Sequence, residues 1–108
     1  MYTAPEAFAR LAARVLTPNI EEDKKTDVYS FAIICYETMM RKKSWSETDP
    51  SQVEHLVRSG QRPPYNPEAM SKDPHYSMIS GIMMASWNQE YMRRPSFQQI
   101  HDKLQAYK

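Results

Sequence analysis

Apolar and polar positions are spread unevenly along this chain, and one stretch has almost no polar face. It runs from Asp27 to Met40, and its apolar members are Val28, Tyr29, Phe31, Ala32, Ile33, Ile34, Cys35, Tyr36, Met39 and Met40. A surface helix shows one apolar stripe, whereas a helix that is apolar nearly all round is buried on every side. The pattern therefore predicts a central helix at about 27–41, with Asp27 or Thr26 as its N-cap.

The flanking segments predict shorter helices that pack against this central helix. Apolar residues recur at helical spacing over residues 6–16, 51–59, 75–87 and 97–106. Gly60 is expected to stop the second of these helices and Ser96 to cap the last. Residues 17–25 carry a mixed run of charges and residues 61–74 hold four prolines, so both are expected to be loops. No segment predicts a strand, and the expected fold class is all-α.

Composition and charge argue against several classes of protein. A length of 108 residues suits one domain, taken here as residues 1–108. A net charge of +1 provides no basic field for nucleic acid. The apolar stretch is too short, and too interrupted by polar residues, to span a bilayer. The three histidines are scattered without ligand spacing, so no metal site is predicted.

The rarest residue types limit the chemistry further. The single cysteine, Cys35, lies inside the apolar stretch and is interpreted as a small buried hydrophobe. A chain with one cysteine cannot form an internal disulfide, which fits a reducing compartment, so a cytoplasmic location is expected. The only glycines are Gly60 and Gly81, so the chain has no glycine-rich loop for phosphate.

Three short motifs gain meaning when they are taken in order. The first is Ala-Pro-Glu at residues 4–6, preceded by Tyr2, and the second is Asp-Val-Tyr-Ser-Phe at 27–31. The third is Trp87 followed by Arg-Pro-Ser-Phe at 94–97. On these predicted elements the set resembles the C-terminal lobe of a eukaryotic protein kinase, from the Ala-Pro-Glu motif onward. With Ser-Gly-Gln-Arg-Pro at 59–63, it looks most like the tyrosine-kinase-like group, and within it the receptor-interacting serine/threonine kinases.

The resemblance implies a structural role for four of the matching positions. Glu6 should form a buried structural ion pair with Arg94; the alternative is two unrelated surface charges. Asp27 should start the central helix and hold the backbone of the catalytic loop, a role compatible with simple N-capping. Trp87 should support the core near Arg94, which differs little from generic core packing.

The resemblance also assigns the first residues of the chain. Tyr2, Thr3, Ala4 and Pro5 should form the end of the loop that supports the protein substrate. Thr3 does not match the substrate-loop threonine of the family, which would lie a few residues earlier. The spacing from Glu6 to Asp27 exceeds the usual spacing in the family, so residues 9–25 are expected to contain an insertion.

The motifs that carry phosphoryl transfer are missing from this sequence. Kinases use a Gly-rich loop, a strand lysine paired with a helix glutamate, an His-Arg-Asp catalytic loop and an Asp-Phe-Gly metal site. Without them, no catalytic residue and no cofactor site is assigned in this segment, and the chain alone is expected to be inactive. ATP and Mg²⁺ are implied only for an intact parent kinase, which would phosphorylate protein serine or threonine.

Three interpretations of the function stay open at this point. The chain is a segment of a protein kinase, or a non-catalytic pseudokinase-like interaction module, or an unrelated small helical domain. The kinase resemblance implies the rest of the kinase domain and a protein substrate as partners. Because segments before Ala4 cover part of the central helix in a whole lobe, this chain is expected to expose apolar surface and to self-associate.

Overall fold

In a computed structural model of the chain, residues 2–12, 20–66, 68 and 73–106 are described. The helices are α1 (Pro5–Ala12), α2 (Ile20–Met40), α3 (Pro50–Arg58), α4 (Pro74–Ser86) and α5 (Phe97–Ala106), with a 3₁₀ turn at Tyr91–Arg93. The described residues contain no strand, and the all-α class is confirmed. Residues 13–16, where the first helix was predicted to continue, and residues 17–19 of the predicted loop lie outside the described residues.

Short polar side chains begin three of these helices. Asp49 and Asp73 each accept a backbone N–H in the first turn of α3 and α4, respectively. Ser96 and Gln99 form a capping box at α5, because each side chain accepts a hydrogen bond from the backbone N–H of the other. Gly60 follows α3 with φ of 98°, a left-handed conformation that glycine adopts without strain.

The start of α2 differs from the sequence prediction. The helix begins at Ile20, so the prediction of a loop up to residue 25 and of a helix start at Asp27 is wrong. Glutamate and lysine are strong helix formers, and acidic residues in the first turn, such as Glu21, stabilise the positive end of the helix dipole. The mixed charge run is therefore the solvated first part of a helix, in which Glu21 and Asp23 are exposed.

The core surrounds α2 on two sides. The larger cluster joins α2 to the N-terminal segment, α3 and α4, through Ala4, Tyr29, Ala32, Ile33, Tyr36, Trp45, Val53, Val57, Met83 and Trp87. The smaller cluster joins Val28 of α2 to Ile82 of α4 and Ile100 of α5. Among the described residues, no helix combines the length and apolar character needed to cross a membrane.

Burial of α2 on every side was predicted and is wrong for this structure. Ile34 is 52% exposed, and Phe31 and Cys35 are only half-buried. Phe31 packs edge-to-face against Phe97 of α5, with ring centroids 5.9 Å apart, whereas Asp27 and Ile34 are exposed. The described residues therefore cover the face that carries these three side chains only in part. The central position of α2 is nevertheless clear, because both core clusters include its side chains.

Candidate functional site

A buried arginine joins the two ends of the chain. Both terminal nitrogens of Arg94 donate to Glu6: Nη1 lies 2.8 Å from Oε2, and Nη2 lies 2.8 Å from Oε1. The Arg94 side chain has no exposed surface and that of Glu6 is 11% exposed. The two residues are separated by 88 positions in sequence. The paired, parallel geometry is the strongest form of carboxylate–guanidinium contact.

The remaining donors of Arg94 are bound by backbone carbonyls. Its Nε donates to the carbonyl of Asn88 at 2.8 Å, and its Nη1 also donates to the carbonyl of Lys25 at 2.9 Å. In return, the Lys25 ammonium donates to the carbonyl of Arg94. Arg94 follows directly after the 3₁₀ turn at Tyr91–Arg93, which sets the direction of its backbone toward α2. The site thus ties α2 to the loop between α4 and α5.

Glu6 also receives a hydrogen bond from α2. The Thr26 hydroxyl donates to Oε2 of Glu6 at 2.5 Å. Burial acts to raise the pKa of Glu6, but the hydrogen bonds from Arg94 and Thr26 outweigh it and hold the pKa below its ordinary value of 4.5. Glu6 is consequently a carboxylate at neutral pH, and its charge balances that of Arg94.

Tyr29 lies between two arginines. Its ring centroid is 5.1 Å from the guanidinium carbon of Arg94 and 5.1 Å from that of Arg62. Cations near an aromatic face are attracted by the ring electrons, most strongly when water is excluded. The Tyr29 hydroxyl is buried and has no hydrogen-bond partner among the described residues. Burial raises the pKa of Tyr29, so the phenol stays neutral.

Arg62 fixes the end of α4. Its Nε and Nη2 donate to the carbonyl of Trp87 at 2.9 and 2.7 Å, and Nη2 also donates to the Gln89 side chain at 2.7 Å. Trp87 is buried and stacks at a tilt against Tyr36 and Tyr65, with ring centroids 6.3 and 6.1 Å apart. Sequence reasoning quoted Arg62 within a motif but gave it no role; its position directly before Pro63 is the only local signal.

The N-terminal segment is anchored along α2. The Tyr2 hydroxyl donates to Oε1 of Glu37 at 2.5 Å, and the Ser30 hydroxyl donates to the carbonyl of Tyr2 at 2.9 Å. The second oxygen of Glu37 accepts the backbone N–H of Ser44 at 2.8 Å. Glu37 was not singled out from the sequence, because nothing local in a helix marks a glutamate as the partner of a residue 35 positions away.

The other residues of the segment have different environments. Ala4 and Pro5 are buried, and the Ala4 carbonyl accepts the first backbone hydrogen bonds of α1, from Ala7 and Phe8. Thr3 is half-buried. The segment therefore runs beside α2 with fixed contacts at Tyr2, and Glu6 follows it directly into the ion pair.

Asp27 does not lie where the sequence placed it. It is exposed and sits roughly two turns inside α2, on the same face as Phe31 and Ile34. Its carboxylate has no side-chain hydrogen bond to another described residue. The structure thus brings together Glu6, Arg94, Tyr2 and the Trp87 region around α2, but it leaves Asp27 exposed on a face that the described residues cover only in part.

Comparison with known proteins identifies the family to which this arrangement belongs. Residues 1–104 match the profile described as protein tyrosine and serine/threonine kinase. The chain belongs to this kinase family. The matched residues include both the Ala-Pro-Glu motif and the Arg-Pro-Ser-Phe motif, so the chain is a segment of the C-terminal kinase lobe.

The kinase relatives include proteins from distant organisms. Receptor-interacting serine/threonine-protein kinase 2 of Bos taurus is 37% identical over 75 residues, which cover 68% of this chain and 14% of the relative. The RGS domain-containing serine/threonine-protein kinase A of Dictyostelium discoideum is 35% identical over 105 residues, covering 97% of this chain and 8% of the relative. The human ankyrin repeat and protein kinase domain-containing protein 1 is 30% identical over 99 residues. This kinase segment therefore spans only a small part of its relatives.

In kinases, ATP and Mg²⁺ are bound by motifs other than those present in this sequence. Among the described residues, no group of three or more His, Cys, Asp or Glu side chains is arranged to hold a metal ion. The sequence contains none of the phosphate-binding or metal-binding kinase motifs. Burial raises the pKa of the Cys35 thiol to about 11, so the thiol is protonated and unreactive at neutral pH.

Proposed function

We propose that this segment supports the catalytic loop and the protein substrate in a kinase that transfers the γ-phosphoryl group of ATP to serine or threonine. The observation that carries the proposal is the buried, two-bonded contact between Glu6 and Arg94. It ties the Ala-Pro-Glu segment, where a substrate-supporting loop ends, to α2 and to the loop before α5. The names of the similar serine/threonine kinases favour this acceptor chemistry.

Substrate support follows from the two anchors of the N-terminal segment. Tyr2 is held by Glu37 and Ser30 at one end, and Glu6 is held by Arg94 and Thr26 at the other. A segment fixed at both ends keeps a constant position relative to α2. Such positioning lowers the entropic cost of aligning a bound substrate.

Support of the catalytic loop is assigned to the face of α2 that the described residues cover only in part. Asp27, Phe31 and Ile34 share this face at helical spacing. The apolar side chains offer a packing surface to the rest of the kinase domain, and the exposed Asp27 carboxylate can accept backbone hydrogen bonds from it. The described helices pack mainly on the other side of α2.

A chimera tests this proposal directly. In the Dictyostelium RGS domain-containing kinase, the aligned segment is replaced by the residues of this chain, and phosphorylation of protein serine and threonine is measured. We expect the chimera to be active and the same chimera with Asp27→Ala to lose at least about tenfold in rate, because the loop loses its anchor. Glu21→Ala, an exposed acidic position on the same helix, is the matched control.

The outcomes distinguish the proposal from a non-catalytic interaction module. A chimera that melts cooperatively but transfers no phosphate would contradict support of catalysis and favour the module. Equal activity of the Asp27→Ala chimera and the Glu21→Ala chimera would remove Asp27 from the proposed loop contact.

A further inference from the structure

A surface groove lies between α4, the 3₁₀ turn and α5, away from the Tyr2–Pro5 segment. It has a volume of about 500 Å³. Its apolar floor includes Ile82, Ala85 and Ile100, and cationic side chains line it at Lys25, Arg93 and Lys103. A concave surface of this size admits one or two side chains of a partner.

The charges of this groove are poorly balanced. The Lys25 ammonium donates to the backbone carbonyl of Arg94, a neutral group that leaves its charge uncompensated. Arg93 and Lys103 are exposed and form no ion pair with another described residue. Arg94 also lines the groove, but its charge is balanced by Glu6.

Among the described residues, no acidic side chain lines the groove itself. Glu21 lines a separate cavity, which shares Lys25 and Met92 with the groove. This acidic side chain therefore lies beyond Lys25, outside the groove. The whole chain has a net charge of only +1. The groove is therefore a local concentration of positive charge, as is the exposed run at residues 41–43, and it attracts an anionic partner.

We propose that this groove docks a short acidic peptide segment of a partner protein. An apolar side chain of the peptide occupies the floor near Ala85, and flanking Asp or Glu side chains pair with Arg93 and Lys103. Among the described residues that line the groove, none is an aromatic on which nucleic-acid bases could stack. Its concave shape also suits a projecting peptide side chain better than a bilayer surface.

Peptide binding by fluorescence anisotropy tests the docking site. The probes are a labelled peptide with one leucine flanked by glutamates and a second peptide in which glutamines replace the glutamates. We expect the acidic peptide to bind at least about tenfold more tightly than the glutamine peptide, and raised ionic strength to weaken it, because the charges are exposed.

Variants assign the binding to the groove. The double variant Arg93→Gln and Lys103→Gln is expected to weaken acidic-peptide binding about tenfold. The matched control, Lys42→Gln with Lys43→Gln, removes the same charge from exposed residues outside the groove and should bind like the unmodified chain. Ala85→Glu places a carboxylate on an exposed helix position in the groove and should abolish binding without disturbing the fold, which thermal melting checks.

Several results would overturn the proposal. Equal loss of binding in the control and groove variants would mean attraction by overall charge. Equal affinity for both peptides, or unchanged binding by Ala85→Glu, would exclude this docking mode. Binding of phosphatidylserine vesicles or of single-stranded DNA that depends on Arg93 and Lys103, without acidic-peptide binding, would assign the groove to another partner.

Discussion

At the scale of single residues, Arg94 matters most for the fold, because it is a buried cation that is paired with an anion and hydrogen-bonded to backbone carbonyls. A charge removed from water is costly, and only a paired anion and good hydrogen bonds compensate for it. Glu6 supplies the anion, and the carbonyls of Asn88 and Lys25 supply further acceptors. The contact is therefore better described as a requirement of the fold than as a simple gain in stability.

Removal of the Glu6 charge tests this description. Glu6→Gln leaves Arg94 buried without its anion and should lower the free energy of unfolding by about 3–5 kcal/mol. Glu21→Gln is the matched control, since its pair with Lys24 spans 3.9 Å between exposed side chains and should matter by less than about 1 kcal/mol. Urea unfolding of both variants gives the comparison, and similar losses would contradict the buried-pair argument.

The same carboxylate predicts a dependence of stability on pH. The pKa of Glu6 is lower in the folded chain than its ordinary value of 4.5. Glu6 thus contributes stability that is fully present above the unfolded-state pKa and is lost as pH falls through the lower folded-state pKa. The difference in unfolding free energy between the unmodified chain and Glu6→Gln should shrink as the medium becomes more acidic than this value. A difference independent of pH would contradict the assignment.

At the scale of elements, α2 is asymmetric although its sequence is apolar nearly all round. Ile33 is fully buried, whereas the next residue, Ile34, is 52% exposed. Successive residues of a helix point in directions about 100° apart, so only one of the two faces the packed side. The identity of that side depends on where α3 and α4 lie.

Two neighbouring substitutions measure this asymmetry. Ile33→Ala leaves a cavity in the core and should lower the free energy of unfolding by about 2–5 kcal/mol. Ile34→Ala removes the same atoms from a half-exposed site and should change it by about 0.5 kcal/mol or less. Thermal or urea unfolding gives both values. Equal losses would mean that a further layer covers Ile34 in solution.

The two glycines give a second test of element structure. Gly60 has φ of 98° after α3, whereas Gly81 lies within α4, and an added Cβ would meet nothing within 4 Å at either site. Gly60→Ala should therefore destabilise by about 1–2 kcal/mol through backbone strain alone. Gly81→Ala should stabilise by about 0.5–1 kcal/mol because alanine favours a helix. The unfolding midpoints should move in opposite directions, and a shared direction would contradict these assignments.

At the scale of the whole molecule, the described residues cover α2 incompletely. The exposed apolar residues include Ile20 at 69% and Ile34 at 52% on α2, and Phe97 at 47% on α5. Exposed apolar surface that no neighbouring element covers favours association with another protein surface. The segment is accordingly expected to self-associate when the rest of a kinase domain is not bound.

A charged substitution at the exposed Ile34 tests this expectation. Ile34→Lys should shift sedimentation toward a monomer, because it replaces exposed apolar surface with a charge. Thr38→Lys lies one turn further along α2 on the same side and adds the same charge without removing an apolar side chain. It should shift the equilibrium less. An unmodified chain that is monomeric at all concentrations would contradict the expectation.

The sequence by itself determined the features that depend on local patterns. The last helix begins at Phe97 and ends at Ala106, as its periodicity and the cap at Ser96 predicted. Gly60 also located the end of α3, because its effect reaches only a few residues along the chain. The family could be predicted for a related reason, because three short motifs in a fixed order can be recognised in the sequence without knowledge of the fold.

Only the tertiary structure decided the features that depend on distant residues. The exposure of Ile34 and the contact of Tyr2 with Glu37 had no local signal. Each depends on which surface another segment covers or which acceptor it brings within hydrogen-bond distance. The periodicity of a helical sequence shows that the helix has an apolar face, but packing decides whether that face contacts protein or solvent.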